Sequence, residues 1–221
     1  MVGAVAEATR DLEDYAYLLE RAVLLATDLG LDTCWLGGIT KNSFARKLTI
    51  RKGESIPAAT TMGYGAAAEK AGQAPLRKRV GATSRLPWTG LFFDREFGAP
   101  LTPQQAGDYA PLLEMVRLGL SAKNKQPWRV IRSGATWQFY LRRTPGYREA
   151  FVNRLAQADD LQRLDMGIAM CHFELTAIEA GLKGHWTVAD PGLATDDLTA
   201  YTVSWISEAG LTADAVRPGQ R

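Results

Sequence analysis

The sequence predicts an α+β protein in which a mostly antiparallel sheet is packed by long buried helices, and three observations lead to this fold class. Two stretches, Asp11 to Leu29 and Asp160 to Ala180, carry apolar residues at helical spacing. The stretch WRVIRSGATWQFYLRR has the pattern of two strands joined at Ser133 and Gly134, which is typical of a hairpin. The two helical stretches also resemble each other, so we expect two pseudo-repeated halves.

The first helix is predicted from Asp11 to Leu29. Acidic residues crowd its first turns, where they favour the helix dipole, and Gly30 follows as a C-terminal cap. Its apolar positions are Leu12, Tyr15, Leu18, Leu19, Ala22, Val23, Ala26 and Leu29.

The middle of the chain alternates short strands and loops. LDTCWLGG is a short segment that ends in glycine, and ESIPAATTMGYG, from Glu54 to Gly65, has the pattern of a strand. Residues Leu86 to Pro100 look like a loop but carry four aromatic residues, which must pack against other parts of the protein.

The last part of the chain begins with a helix predicted from Pro103 to Leu118. The polar stretch SAKNKQPW and the hairpin follow it. The second long helix contains DMGIAMCHFELTAIEA, is apolar nearly all round, and is therefore expected to be buried. A final strand is predicted from Tyr201 to Ile206.

The two long helices match at an offset of 151 residues. Asp14 then aligns with Asp165, and both copies end in Gly-Leu with a tryptophan five residues after the glycine. A duplication would give the C-terminal part of a first half at residues 1–100 and a second half at residues 101–221, packed as one unit about a pseudo-twofold axis. The alternative is chance, because any buried helix that ends in Gly-Leu would match in this way.

Composition excludes several classes of protein. The formal net charge of +2 is too small to indicate a nucleic-acid partner. No apolar run approaches the roughly 20 residues that span a bilayer, so no membrane association is expected. Two distant cysteines favour a reducing compartment, and we expect a cytoplasmic protein.

Three motifs are rejected. Gly63, Gly65 and Ala68 spell GxGxxA, but Gly72 and Pro75 interrupt the helix that a dinucleotide loop requires. The cysteines and histidines match no zinc spacing, so no metal site is expected. A serine hydrolase would need a GxSxG elbow, which the sequence lacks.

The stretch RLGLSAKNKQPWRVI resembles the nitroreductase family, in which an arginine, a serine, an asparagine and Gln-Pro-Trp follow a helix. LGLDTCWLGG, SIPAATTMGYG and LRKR resemble later flavin-side elements of that family, and DMGIAMCHFE resembles one of its helices. The similarity is greatest to the single-chain TM nitroreductase type, in which one polypeptide carries two half-domains. It extends from about Asp14 to Trp186.

This resemblance implies a mixed α+β fold, an FMN cofactor, and two-electron transfer from NAD(P)H to small electrophiles such as nitroaromatics or quinones. No side chain need act as an obligate acid or base in that chemistry, so the catalytic residues stay unknown. The sequence departs from the family in two ways. Leu120 stands where the family usually has proline, and the family's N-terminal Arg-Arg-Ser-type segment has no counterpart, so we expect a shortened form. Either a monomer or a homodimer would be compatible with two halves.

The resemblance assigns flavin contacts to the polar stretch. Ser121, Asn124 and Gln126 would supply hydrogen bonds to the ring, although the same residue types also cap helices and make turns. Arg117 would reach a polar edge or the phosphate, or would act only as a cation at a helix C-terminus.

Two further groups are cofactor-binding candidates. Leu36, Gly37 and Gly38 would let the backbone approach the ring, or would form a plain turn. Arg77 and Arg79, with Lys78 between them, would bind the phosphate or form a solvated basic face.

The alternative to an enzyme is a shortened, non-catalytic flavin-binding or interaction protein of the same fold. A third possibility is a flavin enzyme of different chemistry, which profiling of electron acceptors would distinguish.

Overall fold

The computed structural model describes residues 1–37, 49–65, 81–147 and 159–208. In chain order the elements are β1 (Val5–Ala6), α1 (Asp11–Asp28), β2 (Asp32–Gly37), β3 (Glu54–Ser55), β4 (Ala58–Gly63), β5 (Phe92–Asp94), α2 (Pro103–Ala106), α3 (Ala110–Leu118), β6 (Trp128–Ser133), β7 (Thr136–Arg142), α4 (Leu161–Glu179), β8 (Gly184–Thr187) and β9 (Thr199–Ser207). Short 3-10 helices lie at Trp88–Gly90, Gly107–Tyr109 and Ala122–Asn124.

The chain forms two compact units, each assembled from separate segments. The first contains Met1–Arg85, Gly119–Pro127 and Thr144–Cys171, and the second contains Leu86–Leu118, Trp128–Arg143 and His172–Arg221. Both units therefore take residues from each side of position 100. The prediction that divides the chain at residues 1–100 and 101–221 describes how the chain arose as well as how it packs. It stays a prediction.

Helix α1 of the first unit begins and ends as its sequence predicts. Asp11, Glu13 and Asp14 occupy its first turn, where the helix dipole favours negative charge. At its end Gly30 adopts a φ of 74°, a left-handed conformation that suits glycine. The N–H groups of Gly30 and Leu31 then donate to the last carbonyls of the helix, those of Thr27 and Ala26.

The strands of the first unit form two small antiparallel pairs, β1 with β3 and β2 with β4. The predicted strand over Glu54 to Gly65 is therefore divided, with Ile56 and Pro57 between β3 and β4. A proline has no N–H for a strand ladder, which explains the interruption at this point. LDTCWLGG supplies β2, in which Trp35 lies opposite Thr60.

The core of the first unit lies where α1 meets the beginning of α4. Its buried residues are Leu12, Tyr15, Ala16, Ala58, Leu164 and Ile168. Tyr15 also donates from its hydroxyl to the carbonyl of Ala58, at 2.6 Å. The two helices approach closely at Gly167, where a Cβ atom would lie 2.1 Å from the main-chain oxygen of Glu13.

The second unit contains a five-stranded sheet in the order β5-β6-β7-β9-β8. Strand β5 is parallel to β6, and the other neighbours are antiparallel, so the sheet is mixed and mostly antiparallel as predicted. The predicted hairpin is β6–β7, with Gly134 at a φ of 59° in its turn. The predicted final strand is present and extends over Thr199–Ser207.

Two predictions for the second unit need correction. The helix expected from Pro103 to Leu118 is broken into α2, a 3-10 turn and α3, because Gly107 takes a φ of 56°. The segment from Leu86 to Pro100, expected to be a loop, contains β5. Its aromatic residues do pack, since the rings of Phe97 and Tyr140 lie 5.1 Å apart edge to face.

The repeat prediction is accompanied by local similarities. Both α1 and α4 are followed by a glycine with positive φ, Gly30 and Gly181. Each indole in the next strand donates to a glutamate of the preceding helix, Trp35 to Glu20 at 2.8 Å and Trp186 to Glu174 at 2.7 Å. Glu20 and Glu174 are not aligned with each other by the 151-residue offset of the repeat. Their separation differs from that offset by about one helical turn. The duplication itself stays a prediction.

In the part of the chain that the structure describes, the helices are too short or too polar to cross a membrane.

Candidate functional site

A cavity of about 520 Å³ lies within the first unit. Four segments of the chain form it, namely β2, the start of β4, the loop that begins at Leu120, and the first half of α4. Its wall is mostly apolar with a few polar groups, as is typical of sites that bind small molecules. The lining residues are Thr33, Cys34, Trp35, Gly37, Ala58, Leu120, Ser121, Ala122, Lys123, Leu161, Leu164, Asp165 and Ile168.

The polar loop has an unusual backbone. Lys123, Asn124 and Gln126 adopt φ values of 52°, 54° and 48°, in the left-handed region that side chains other than glycine seldom occupy. Such conformations cost about 1–3 kcal/mol each and are concentrated at functional sites. The backbone therefore independently singles out the stretch that the sequence motif identified.

Hydrogen bonds within the first unit fix this loop. Ser121 Oγ accepts from the N–H of Gln126 at 2.9 Å, and Gln126 Nε2 donates to Asn124 Oδ1 at 3.2 Å. Asn124 Nδ2 also donates to the carbonyls of Gly81, at 2.6 Å, and Ser84, at 3.0 Å. These hydrogen bonds are the ones expected if the three side chains only stabilise a turn, which is the alternative to flavin binding. Of the three predicted side chains Ser121 lines the cavity, while Asn124 and Gln126 hold the loop in place.

One of the cofactor-binding candidates at the end of LDTCWLGG lies at the cavity. Gly37 lines it, and a Cβ atom there would lie 2.9 Å from Leu161 Cδ2. Leu36 is an exposed neighbour on the same strand, and adjacent strand residues point to opposite faces. Gly38 lies outside the described residues, as do Arg77, Lys78 and Arg79. Their predicted roles stay predictions.

Arg117 belongs to the second unit and lies in the last turn of α3. Its guanidinium makes two hydrogen bonds to the carboxylate of Glu114, at 2.7 and 2.6 Å. These bonds raise the pKa of Arg117 above its ordinary value. This local pairing agrees with the alternative of a helix C-terminal cation, and the flavin role of Arg117 stays a prediction.

Sequence reasoning missed Asp165 as a site residue. It was noted only as the partner of Asp14 in the repeat, yet its side chain lines the cavity and is 3% exposed. Its Oδ1 accepts a 2.8 Å hydrogen bond from the N–H of Ala122 in the motif loop. Burial raises the pKa of Asp165 well above its ordinary value, and the charge of Asp160 adds to this, although the hydrogen bond from Ala122 opposes it.

A second missed residue is Glu20, which is 1% exposed on α1. Its carboxylate accepts from the indole N–H of Trp35, which contributes to the cavity wall. The only signal in the sequence was a glutamate on the otherwise apolar face of a helix.

Comparison with known proteins shows the family to which the chain belongs. The model of the family described as "Putative TM nitroreductase" matches residues 2–177. The chain belongs to this nitroreductase family.

The crystal structure of a "putative nitroreductase" from Thermotoga maritima is similar to the chain, with a TM-score of 0.57 and 18% sequence identity. The similarity covers 93% of this chain and 69% of the Thermotoga chain. At that identity it shows the fold alone, so the predicted nitroreductase-like α+β fold is confirmed. No curated protein matches the chain.

The family match includes the whole cavity wall, since every lining residue lies between 2 and 177. Membership of a nitroreductase family supports the general class of oxidoreductase for this chain.

Proposed function

We propose that the chain is an FMN-dependent nitroreductase-type oxidoreductase that passes electrons from NAD(P)H to small electrophiles such as nitroaromatics or quinones. One observation carries the proposal: the motif loop and the glycine end of β2, more than 80 residues apart in sequence, line the same cavity. Family membership supports the reaction class. Composition supports a cytoplasmic enzyme, and the two predicted halves would be compatible with a monomer or a homodimer.

The residues present fit a flat aromatic ring with one polar edge. Trp35, Leu120, Leu161 and Ile168 give apolar surface for the ring faces. Ser121 and the buried Asp165 offer polar groups in the same wall, and Asp165 Oδ2 has no partner among the described residues. A buried polar atom of this kind is expected to meet a ligand, because leaving it unpaired is costly.

The protein's part in the reaction is to bind, orient and exclude water. A bound flavin would supply the electron-carrying chemistry. Gly37 would leave room for a ring beside the β2 backbone, and the indole of Trp35, held by Glu20, would cover it. Lys123 brings a positive charge to the cavity rim, which would favour an anionic part of the cofactor.

The second candidate is a non-catalytic protein of the same fold. The internal hydrogen bonds of Ser121, Asn124 and Gln126 favour it, because they satisfy groups that the motif would offer to a flavin.

The first test is the visible absorption spectrum of protein mixed with FMN and then desalted, followed by titration of flavin fluorescence. A retained flavin band, reduced by NAD(P)H and reoxidised by a quinone, would support the enzyme. Folded protein that retains no flavin would reject it, and retained flavin without turnover would favour the non-catalytic candidate.

Variants locate the site. Ser121→Ala and Gly37→Val should weaken FMN binding, because one removes a polar group and the other fills space in the cavity. Lys123→Ala tests the rim charge, and Lys52→Ala is its matched control, since Lys52 is exposed and does not contribute to the wall. Equal binding by all four variants would place the flavin elsewhere.

A further inference from the structure

The carboxyl group of Asp165 is the most unusual polar group in the cavity wall. The side chain lies on α4 and is buried, with Oδ1 accepting from the N–H of Ala122 at 2.8 Å. Its Oδ2 is also buried, with no hydrogen-bond partner among the described residues. One oxygen is thus bound to the motif loop, and the other is an unpaired atom of a residue that lines the cavity.

Among the residues that the structure describes, the nearby charged groups do not neutralise this carboxyl. Arg163, two residues before it on α4, makes ion pairs with Asp11 and Glu13. Lys123 is exposed at the cavity rim, and Asp160 disfavours a further negative charge. A buried carboxylate is costly unless it is paired, and the described residues offer Asp165 no cation partner, so burial favours its protonated form. Since Oδ1 accepts from Ala122, a proton on this carboxyl would lie on Oδ2 and would make the group a hydrogen-bond donor.

We propose that Asp165 is a positioning residue that links the ligand to the motif loop: its Oδ2–H donates to an acceptor atom of the bound ring, and its Oδ1 holds Ala122. This inference rests on the proposed function and specifies the chemistry of the site. The atom facing Asp165 is a carbonyl oxygen or an unprotonated ring nitrogen. An amine or another donor at that position would be disfavoured.

The alternative is a purely structural carboxyl that only anchors the loop. Both roles require the Ala122 bond, so loss of stability in a variant cannot distinguish them. They differ at Oδ2, because only the proposed role changes its hydrogen bonding when a ligand binds. The test must therefore observe the protonated carboxyl directly.

The experiment is an infrared difference spectrum of the wild-type protein with and without FMN, together with FMN titrations of variants. We expect a carbonyl band from a protonated carboxylic acid that is absent in Asp165→Asn and present in Asp160→Asn. The band should move to lower frequency when FMN binds. Asp165→Asn keeps an acceptor and a donor, so its FMN affinity should stay within about threefold of wild type. Asp165→Leu should lose roughly tenfold or more.

The outcomes separate the two proposals. Wild-type protein that binds FMN with an unmoved band, or an Asp165→Leu variant that binds as tightly as wild type, would overturn the role of Asp165 and leave the flavin site intact. Folded wild-type protein that binds no FMN would overturn both. Circular dichroism of each variant identifies any that fails to fold, and in that case the wild-type band shift decides.

Discussion

A Cβ atom on Gly167 would lie 2.1 Å from the main-chain oxygen of Glu13 and 2.9 Å from the amide nitrogen of Tyr17. Two backbones therefore meet at this point of the first unit, and α1 leaves no space for a side chain on α4. The contact lies one helical turn or less from Leu164, Asp165 and Ile168, which line the cavity. Gly167 consequently controls how closely α1 can support the cavity wall.

Gly167→Ala should destabilise the protein by about 2 kcal/mol, because the 2.1 Å approach to main chain puts the cost of overpacking near the upper end of its range. Overpacking against backbone costs about 1–3 kcal/mol, and the better helix propensity of alanine returns at most about 1 kcal/mol. Urea unfolding followed by circular dichroism measures the change. Gly63→Ala is the control, because a Cβ atom there has nothing within 4 Å. Equal stability of the two variants would contradict the close approach.

The parts of this structure that the sequence predicts are those that depend on residues close together in the chain. The long helices, the hairpin and the last strand follow from periodicity and turn residues, which are local properties. Strand β8 was not predicted, because four residues with one tryptophan give little pattern. The break at Gly107 was also missed, since a single glycine does not reveal whether it will adopt a positive φ.

The site was predicted less completely than the fold. Ser121 and Gly37 were identified because they belong to recognisable stretches. Arg117 has a local partner three residues away, Glu114, which sequence reasoning did not consider. Asp165 and Glu20 were missed because their importance comes from burial against distant segments, which an acid on an apolar helix face indicates only weakly.

The hydrogen bond between Trp35 and Glu20 should be worth about 1.5–3 kcal/mol, because its acceptor is a buried carboxylate. Glu20→Gln retains an acceptor and should be mild, whereas Glu20→Leu leaves the indole N–H unpaired. A double-mutant cycle with Trp35→Phe isolates the pair. A coupling free energy near zero in urea unfolding would show that the carboxylate is not what holds the indole.

The left-handed backbone of Lys123 should cost stability, since a non-glycine residue in this region is disfavoured by about 1–2 kcal/mol. Lys123→Gly should therefore be more stable than Lys123→Ala by about 1 kcal/mol, after allowing for the greater freedom of glycine in the unfolded chain. Both variants remove the same charge, so each is the control for the other. Thermal and urea unfolding measure the difference, and an alanine variant at least as stable as the glycine variant would contradict the strain.

The raised pKa of Asp165 predicts how stability depends on pH. Below the unfolded-state pKa, about 3.9, the carboxyl is protonated in both states and its contribution is complete. As pH rises, the unfolded chain releases the proton while the folded protein retains it, so the free energy of unfolding falls until pH passes the folded pKa. Each unit of elevation removes about 1.4 kcal/mol. Asp165→Asn cannot ionise, so its free energy of unfolding should rise relative to that of wild type above about pH 4, until pH passes the folded-state pKa of Asp165. Urea unfolding at several pH values measures this difference. Every other ionisable group is the same in both proteins, so the contributions of those groups to the difference cancel to first order. Parallel curves for wild type and Asp165→Asn would show that the buried carboxyl ionises as freely as an exposed one.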